Sequence, residues 1–124
     1  MALIQPRKFE EFIASILRYE GFEVELTPAT RDGRFDILAI KHSAVTGKHT
    51  YLIECKRYSR HRKIGIAVVL NLMWVLQQNS ATKGLIITTS SFSKDVHREA
   101  EQYSNKIMIH NYKSLEKWIK SLEL

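Results

Sequence analysis

Two stretches of the chain carry side chains whose types and spacing suit chemistry on a charged substrate. Arg31-Asp-Gly-Arg-Phe-Asp36 ends in a carboxylate, and Tyr51-Leu-Ile-Glu-Cys-Lys-Arg-Tyr58 carries a carboxylate and an ammonium two residues apart. Both stretches contain strand-forming residues at or near alternating positions, which indicates β-strands. Residues 43–48 between them have the polar and glycine composition of a hairpin turn, so the two strands should pair antiparallel.

The turn position decides which side chains face each other. A reversal at residue 45 sets Asp36 opposite Glu54, and a reversal at residue 46 sets it opposite Lys56. Either register places all three on one face, because strand side chains repeat every second residue. Two adjacent carboxylates repel each other unless a cation lies between them, and Mg²⁺ prefers such oxygen ligands. With a lysine to orient a water and stabilise phosphate charge, the set predicts phosphodiester hydrolysis.

These residues belong to an ordered set of motifs that resembles the PD-(D/E)xK superfamily of restriction-endonuclease-like nucleases, specifically its Mrr-type branch. Asp36 and Glu54-Cys55-Lys56 carry the signature. The resemblance covers nearly the whole chain, through Phe9-Glu10, Gly21-Phe22, Asp32-Gly33, Ile64-Gly65, Lys83 to Phe92 and the strand Ile107 to His110 with its closing helix. Phe35 stands where the superfamily's name has proline. Glu54 stands where many Mrr relatives have glutamine, a change that should favour metal binding.

The resemblance implies roles for individual residues. It implies that Asp36, Glu54 and the carbonyl oxygen of Cys55 hold Mg²⁺, for which Mn²⁺ should substitute, and that Lys56 positions or activates the attacking water. Glu10 would support a second metal ion or the water network. Helical spacing also sets Glu10 at the edge of a buried stripe, although a first-turn acid favoured by the helix dipole is an equal reading. Cleavage should leave a 5′-phosphate and a 3′-hydroxyl.

Hydrophobic periodicity predicts the elements that position these residues. We expect helices over residues 7–20, 64–78, 94–104 and 112–124, and strands over residues 22–27, 35–40, 51–58, 84–89 and 107–109. Ser93 and Asn111 are the expected N-caps. The order α-β-β-β-α-β-α-β-α predicts one α/β domain over residues 1–124, with a restriction-endonuclease-like core. Its mixed sheet, flanked by helices, should contain an antiparallel hairpin and then a right-handed crossover to a parallel strand.

The net charge of +6 is concentrated beside the candidate site. Residues 41–63 hold seven basic residues and one acidic residue, whereas the rest of the chain is balanced. A basic patch beside a phosphate-cleaving site is typical of nucleic-acid binding, and the alternative is a solvated loop. The candidate DNA-contacting residues are Arg31, Arg34, Arg57, Arg60, Arg62 and Lys63. Tyr58 and His61 could contact nucleotides or pack, and Ser90, Ser91 and Ser93 could hold a phosphate or simply cap a helix.

The helix expected at Ile64–Gln78 is apolar on nearly every side. One side must pack on the sheet, and a monomer rarely exposes a patch containing Val69, Met73, Trp74 and Leu76. We therefore expect a homodimer, or docking to another domain, through this helix. The sequence shows no signal peptide and no apolar run long enough for a membrane, and its single cysteine fits a reducing cytoplasm.

The leading interpretation is a Mg²⁺-dependent DNA endonuclease of the Mrr-like restriction or defence type. A structure-selective Holliday-junction resolvase is the first alternative, because such enzymes share this core and carboxylate–lysine set. The second alternative is a catalytically silent nucleic-acid-binding module. Such a module usually lacks a metal ligand or the lysine, and the sequence retains all of them.

Overall fold

The computed structural model describes residues 5–27 and 35–122. Its helices are α1 (Pro6–Tyr19), α2 (Ile66–Gln78), α3 (Lys94–Gln102) and α4 (Tyr112–Ser121). Its strands are β1 (Glu23–Leu26), β2 (Ile37–Ser43), β3 (Gly47–Lys56), β4 (Lys83–Thr88) and β5 (Ile107–His110). The predicted element order and fold class are confirmed.

The strands form one mixed sheet in the order β1-β2-β3-β4-β5. The first three strands pair antiparallel, and β4 pairs parallel with both β3 and β5. Helices cover both faces of this sheet. One core cluster joins α1 and α4 to side chains such as Ile37 and Ile53, and the other joins α2 and α3 to Leu52 and Ile86. The sheet is therefore the middle layer of three.

Local chemistry explains where α1 begins and ends. Pro6 occupies the first turn, where its missing N–H costs no hydrogen bond. At the other end Gly21 adopts a φ of +97°, which a residue with a side chain rarely adopts. The amide of Gly21 bonds the carbonyl of Arg18, and the amide of Phe22 bonds that of Leu17, each at 3.0 Å. This Schellman arrangement returns the chain directly into β1.

The hairpin between β2 and β3 has the first of the two predicted registers. Ser43 pairs with Gly47 and Ile37 pairs with Ile53, so the chain reverses at Val45. The hydroxyl of Ser43 accepts from the amides of Val45 and Thr46, both at 3.2 Å, and Gly47 takes a φ of +86°. Continuing this register by one residue beyond β2 sets Asp36 opposite Glu54.

The orientation of α2 corrects part of the prediction for this helix. Val69 and Leu76, expected on an exposed patch, are buried against the sheet. Met73 is half-buried, whereas Leu70 and Trp74 expose 51% and 53% of their surface. The helix is rich in apolar residues all round, so the sequence could not identify the side that meets β4. The exposed apolar surface of α2 is therefore narrower than expected, with one exposed apolar residue in each of two successive turns, Leu70 and Trp74.

Several element boundaries differ from the prediction. Ile64 makes a parallel bridge to Phe92, so α2 starts at Ile66, after Gly65. Helix α3 ends at Gln102 rather than at residue 104. Ser93 is the N-cap residue of α3, but its side chain does not accept a helix amide, whereas Asn111 caps α4 by accepting from the amide of Ser114. Within the described ranges no helix is long and apolar enough to cross a membrane.

Candidate active site

The candidate site lies where β2 and β3 separate, near the carboxyl end of β3. Asp36 and Glu54 are buried, with 3% and 6% of their surface exposed. Glu54 shares the α2 face of the sheet with Leu52, while Ile53 and Cys55 face α1. Such burial of two carboxylates in a sheet is uncommon unless each is hydrogen-bonded or paired with a cation.

Asp36 is fixed by the backbone on both sides. Its carboxylate Oδ2 accepts from the amide of Cys55 at 2.7 Å, and its own amide donates to the carbonyl of Ile53 at 2.8 Å. Its carbonyl accepts from both the amide and the hydroxyl of Thr27, at 3.0 and 3.1 Å. The carboxylate thus takes the place of a backbone acceptor where the ladder ends. This holds the first acid beside the main chain of the second strand.

Glu54 and Lys56 form the charged pair that the spacing predicts. Lys56 Nζ lies 3.1 Å from Glu54 Oε1, and 29% of the lysine side chain is exposed. The carbonyl of Lys56 accepts from the Thr88 hydroxyl at 2.6 Å and from the Thr89 amide at 3.3 Å. These bonds from β4 fix the end of β3, so the ammonium is held beside the carboxylate with access to solvent.

The donor set suits a hard divalent cation. Asp36 and Glu54 supply carboxylate oxygens from neighbouring strands, and the carbonyl of Cys55 lies between Glu54 and Lys56 in the chain. Mg²⁺ is commonly held by one or two carboxylates with waters and substrate phosphates. Across residues 5–27 and 35–122, no three His, Cys, Asp or Glu side chains are grouped closely enough to hold a metal ion. A cation bound here would therefore be held by fewer than three such side chains, with carbonyl oxygens, waters or substrate as its other ligands.

Glu10 belongs to the other face of the sheet. Helix α1 buries Phe9 and Ile13 against the α1 face, and Glu10 is half-buried beside them. Arg7 Nη1 contacts Glu10 Oε1 at 2.9 Å and the carbonyl of Thr27 at 2.8 Å. Among the described residues, no hydrogen bond or ion pair joins Glu10 to Asp36, Glu54 or Lys56. Its catalytic role stays a prediction, with Arg7 and Thr27 as its link to the site.

The predicted DNA-contacting residues occupy different environments. Arg31 and Arg34 lie outside the described residues. Arg57 is half-buried and its Nε is buried, whereas Arg60, Arg62 and Lys63 are exposed. The basic loop, residues 57–63, begins directly after β3, so its charge is adjacent to the carboxylate pair.

At the start of α3, the serine hydroxyls are bonded to groups of the protein itself. The Ser90 hydroxyl is buried and donates to the carbonyl of Arg62, so it anchors the basic loop and is not turned towards solvent. The Ser93 hydroxyl donates to the Asp95 carboxylate, which lowers the pKa of Asp95. Asp95 Oδ1 also accepts from the amide of Val96 at 3.1 Å. A carboxylate thus already occupies this helix N-terminus.

Sequence reasoning missed the hydroxyls that position the site. Thr27 bonds the carbonyls of Phe35 and Asp36, while Thr88 and Thr89 bond those of Lys56 and Tyr58. Thr88 ends the buried strand β4 and Thr89 follows it, and a hydroxyl buried there needs a partner. The run of hydroxyl residues at the end of β4 is a sequence signal for such bonds, but the sequence does not show which carbonyl groups accept them.

A mixed α/β sheet in which an acid directly precedes β2 and a Glu-x-Lys motif ends the central strand β3 is typical of the class of restriction-endonuclease-like domains. The Mrr_cat restriction endonuclease family matches residues 1–119, and the chain belongs to this family. The resemblance to the Mrr type is thereby confirmed. Restriction endonucleases typically use divalent metal ions.

One curated relative is 29% identical over 97 residues, the uncharacterized protein y4cE of Sinorhizobium fredii (strain NBRC 101917 / NGR234). The match covers 77% of this chain and 24% of that protein. The chain thus spans about a quarter of the curated relative that it matches.

Three solved structures share the fold at low identity. The DNA modification-dependent restriction endonuclease AspBHI has a TM-score of 0.77 at 17% identity, over 97% of this chain and 32% of that one. The protein of unknown function AF1548 gives 0.71 at 17%, over 93% and 65%. The MspJI restriction endonuclease, in complex with a 27-mer oligonucleotide, gives 0.67 at 16%, over 90% and 27%.

Proposed function

We propose that this domain is a Mg²⁺-dependent endonuclease that hydrolyses phosphodiester bonds in DNA, of the Mrr-like restriction or defence type. The observation that carries the proposal is the burial of Asp36, directly before β2, and of Glu54 on the adjacent strand β3, with Lys56 3.1 Å from Glu54. Family membership supports nuclease chemistry, and the retained acids and lysine argue against a silent module.

Each residue of the set has a separate task in this proposal. Asp36, Glu54 and the carbonyl of Cys55 would hold the cation, which supplies positive charge to the phosphate under attack. Lys56 orients the attacking water through its ammonium and offsets negative charge on the phosphate oxygens. Its ion pair with Glu54 holds the ammonium in place before substrate arrives. Mn²⁺ should replace Mg²⁺, since both accept oxygen ligands.

The direct test is nicking of supercoiled plasmid, with Mg²⁺, with Mn²⁺ and with EDTA. Asp36→Asn and Lys56→Ala should each lower the rate by roughly a hundredfold or more, the scale of a lost group that stabilises charge in the transition state. Lys56→Arg keeps the positive charge beside Glu54 but replaces the compact ammonium with a larger planar guanidinium, which should misplace the attacking water and make this variant similarly slow. Lys8→Ala is the matched control, because Lys8 also pairs with a glutamate, Glu11, at 3.6 Å on the exposed side of α1.

Full activity of the Lys56 variants, or equal activity in EDTA, would contradict the proposal. End-labelling of the products should show 5′-phosphates and 3′-hydroxyls. The substrate panel should include linear duplex, methylated plasmid and a four-way junction. Faster cleavage of the junction would favour the resolvase alternative, and cleavage confined to methylated DNA would match the modification dependence named for AspBHI.

We also propose that α2 pairs with the α2 of a second copy of this chain. Leu70 and Trp74 lie one turn apart on its exposed side. Beside them is a groove of about 390 Å³, lined by Met73, Leu76, Gln77, Ser80, Ala81 and Lys106. In a two-fold dimer formed through this face, the Trp74 indole of each copy would approach the groove of the other copy. Such a contact is self-complementary.

A further inference from the structure

Two arginines of the basic loop lie flat on tyrosine rings. The guanidinium carbon of Arg62 is 4.0 Å from the centroid of the Tyr58 ring, and that of Arg60 is 4.1 Å from the centroid of the Tyr112 ring. Tyr58 is in the same loop, whereas Tyr112 starts α4, some fifty residues away. Such contacts hold a cation over the negative face of the ring. Each guanidinium is thus restrained by an aromatic partner.

The backbone of the loop is fixed at every second residue. The carbonyl of Tyr58 accepts from the Thr89 hydroxyl at 2.7 Å. The Ser90 hydroxyl, which has one O–H, donates to the carbonyl of Arg62, and the carbonyl of Arg60 lies 3.4 Å from the same oxygen. Ser90 is fully buried, and its own carbonyl accepts from the amide of Tyr112 at 3.0 Å. One buried serine therefore ties the loop and the second tyrosine to the end of β4.

No described carboxylate neutralises the charge of either arginine. No carboxylate lies within ion-pair distance of Arg60 or Arg62 in residues 5–27 and 35–122, and both side chains are exposed. A guanidinium stacked on a ring still directs its N–H groups outward in its own plane. Two forks of donors of this kind match the oxygens of phosphates, to which arginine binds in bidentate fashion.

We infer that Arg60 and Arg62 form a two-point phosphate clamp, positioned by Tyr112 and Tyr58, for the DNA strand that enters the site. This inference takes from the proposed function only the identity of the ligand, DNA. Because a guanidinium covers one face of each ring, the tyrosines act on the arginines rather than as stacking surfaces for bases on that side. The clamp therefore reads the backbone and contributes affinity without sequence preference.

The test is fluorescence anisotropy of labelled duplex DNA binding the full chain, in EDTA, over a range of KCl concentrations. Arg60→Ala and Arg62→Ala should each reduce the slope of log affinity against log salt by about one, on two unrelated sequences alike. Tyr112→Leu and Tyr58→Leu should weaken binding about two- to fivefold, the scale of one cation–π contact. Tyr112→Phe and Tyr58→Phe should bind like the original protein, since the ring is kept.

A double-mutant cycle separates positioning from a merely structural role. Tyr112→Leu should cost little further affinity once Arg60 is alanine, and Tyr58→Leu little once Arg62 is alanine. Tyr19→Leu is the control and should leave binding unchanged, since Tyr19 is an exposed tyrosine of α1 with no cation of the described residues over its ring. Thermal melts of every variant establish that the fold is kept, and the salt slopes of the arginine variants carry the test if a leucine variant unfolds.

Unchanged salt slopes in the arginine variants, additive losses in the cycles, or no DNA binding by the original protein would each overturn the clamp. The binding assay contains no metal and measures no cleavage. A chain that fails to cut plasmid but shows coupled tyrosine–arginine losses would therefore refute the endonuclease proposal and support the clamp. Cleavage of plasmid together with additive losses of affinity in the cycles would support the endonuclease proposal and refute the clamp.

Discussion

Asp36 is both a charge of the candidate site and a hydrogen-bond acceptor of the sheet. Its carboxylate accepts from the amide of Cys55 at 2.7 Å, where the pairing of β2 and β3 ends. Removing the acceptor leaves a part-buried amide without that bond, whereas removing only the charge does not. The two roles can therefore be separated by choosing the replacement.

Asp36→Asn should retain the acceptor and the stability, while Asp36→Ala should lower the free energy of unfolding by about 1–3 kcal/mol, the cost of an unsatisfied buried group. Both changes should weaken Mn²⁺ binding, because each removes a carboxylate. Urea denaturation measures the stabilities, and calorimetric titration with Mn²⁺ measures the binding. Equal stabilities of the two variants would show that the bond to Cys55 contributes little.

Helix α2 links the sheet to the surface proposed for self-association. Its inward side buries Val69, Leu72, Val75 and Leu76, and its outward side exposes Leu70 and Trp74. The inward contacts are fixed by the fold, so changes to the outward residues should alter association without disturbing the core.

Light scattering at micromolar concentration should give the mass of a dimer for the original chain and of a monomer for Leu70→Lys and Trp74→Lys. A charge at the centre of an apolar interface is costly to desolvate. Tyr19→Lys, an equally exposed apolar position on α1, should leave the mass unchanged. A monomeric original chain, or dimers in both α2 variants, would rule out this surface as the interface.

At the scale of the whole molecule, contacts of His110 and Trp118 connect β5 and α4 to the end of α1. The His110 ring at the end of β5 stacks on Trp118 of α4 with centroids 5.7 Å apart, and His110 Nδ1 lies 2.6 Å from the Ser114 hydroxyl. Trp118 Nε1 donates to Glu20 Oε1 at 2.6 Å, immediately after α1. Burial lowers the pKa of His110 from its ordinary value of 6.5.

This pKa shift predicts acid sensitivity of the fold. Because the folded state disfavours protonated His110, the unfolded state binds more protons below about pH 6.5. The stability that the neutral ring contributes is therefore complete above that pH and is lost as the pH falls through the folded pKa. His110→Gln should flatten the change in melting temperature between pH 7 and pH 5, whereas the same change at the exposed His61 should not. Equal slopes for all three proteins would contradict the assignment.

The sequence by itself determined the element order, the hairpin and the shared face of Glu54 and Lys56. These features follow from local rules, since alternation sets the face and the turn residues allow only two registers. The family resemblance came from the same stretches and is confirmed over residues 1–119. Asp36 was predicted opposite one of two partners, and the turn geometry selected Glu54.

Only the tertiary structure decided which residues meet across the chain. Helix α2 is apolar all round, so packing on β4 rather than periodicity buried Val69 and Leu76 and left Trp74 exposed. The bonds from Thr88, Thr89 and Ser90 to residues 56–62, and the stacking of Arg60 on Tyr112, join segments some thirty to fifty residues apart. Spacing along a chain sets local faces, whereas such contacts depend on where the strands end in space.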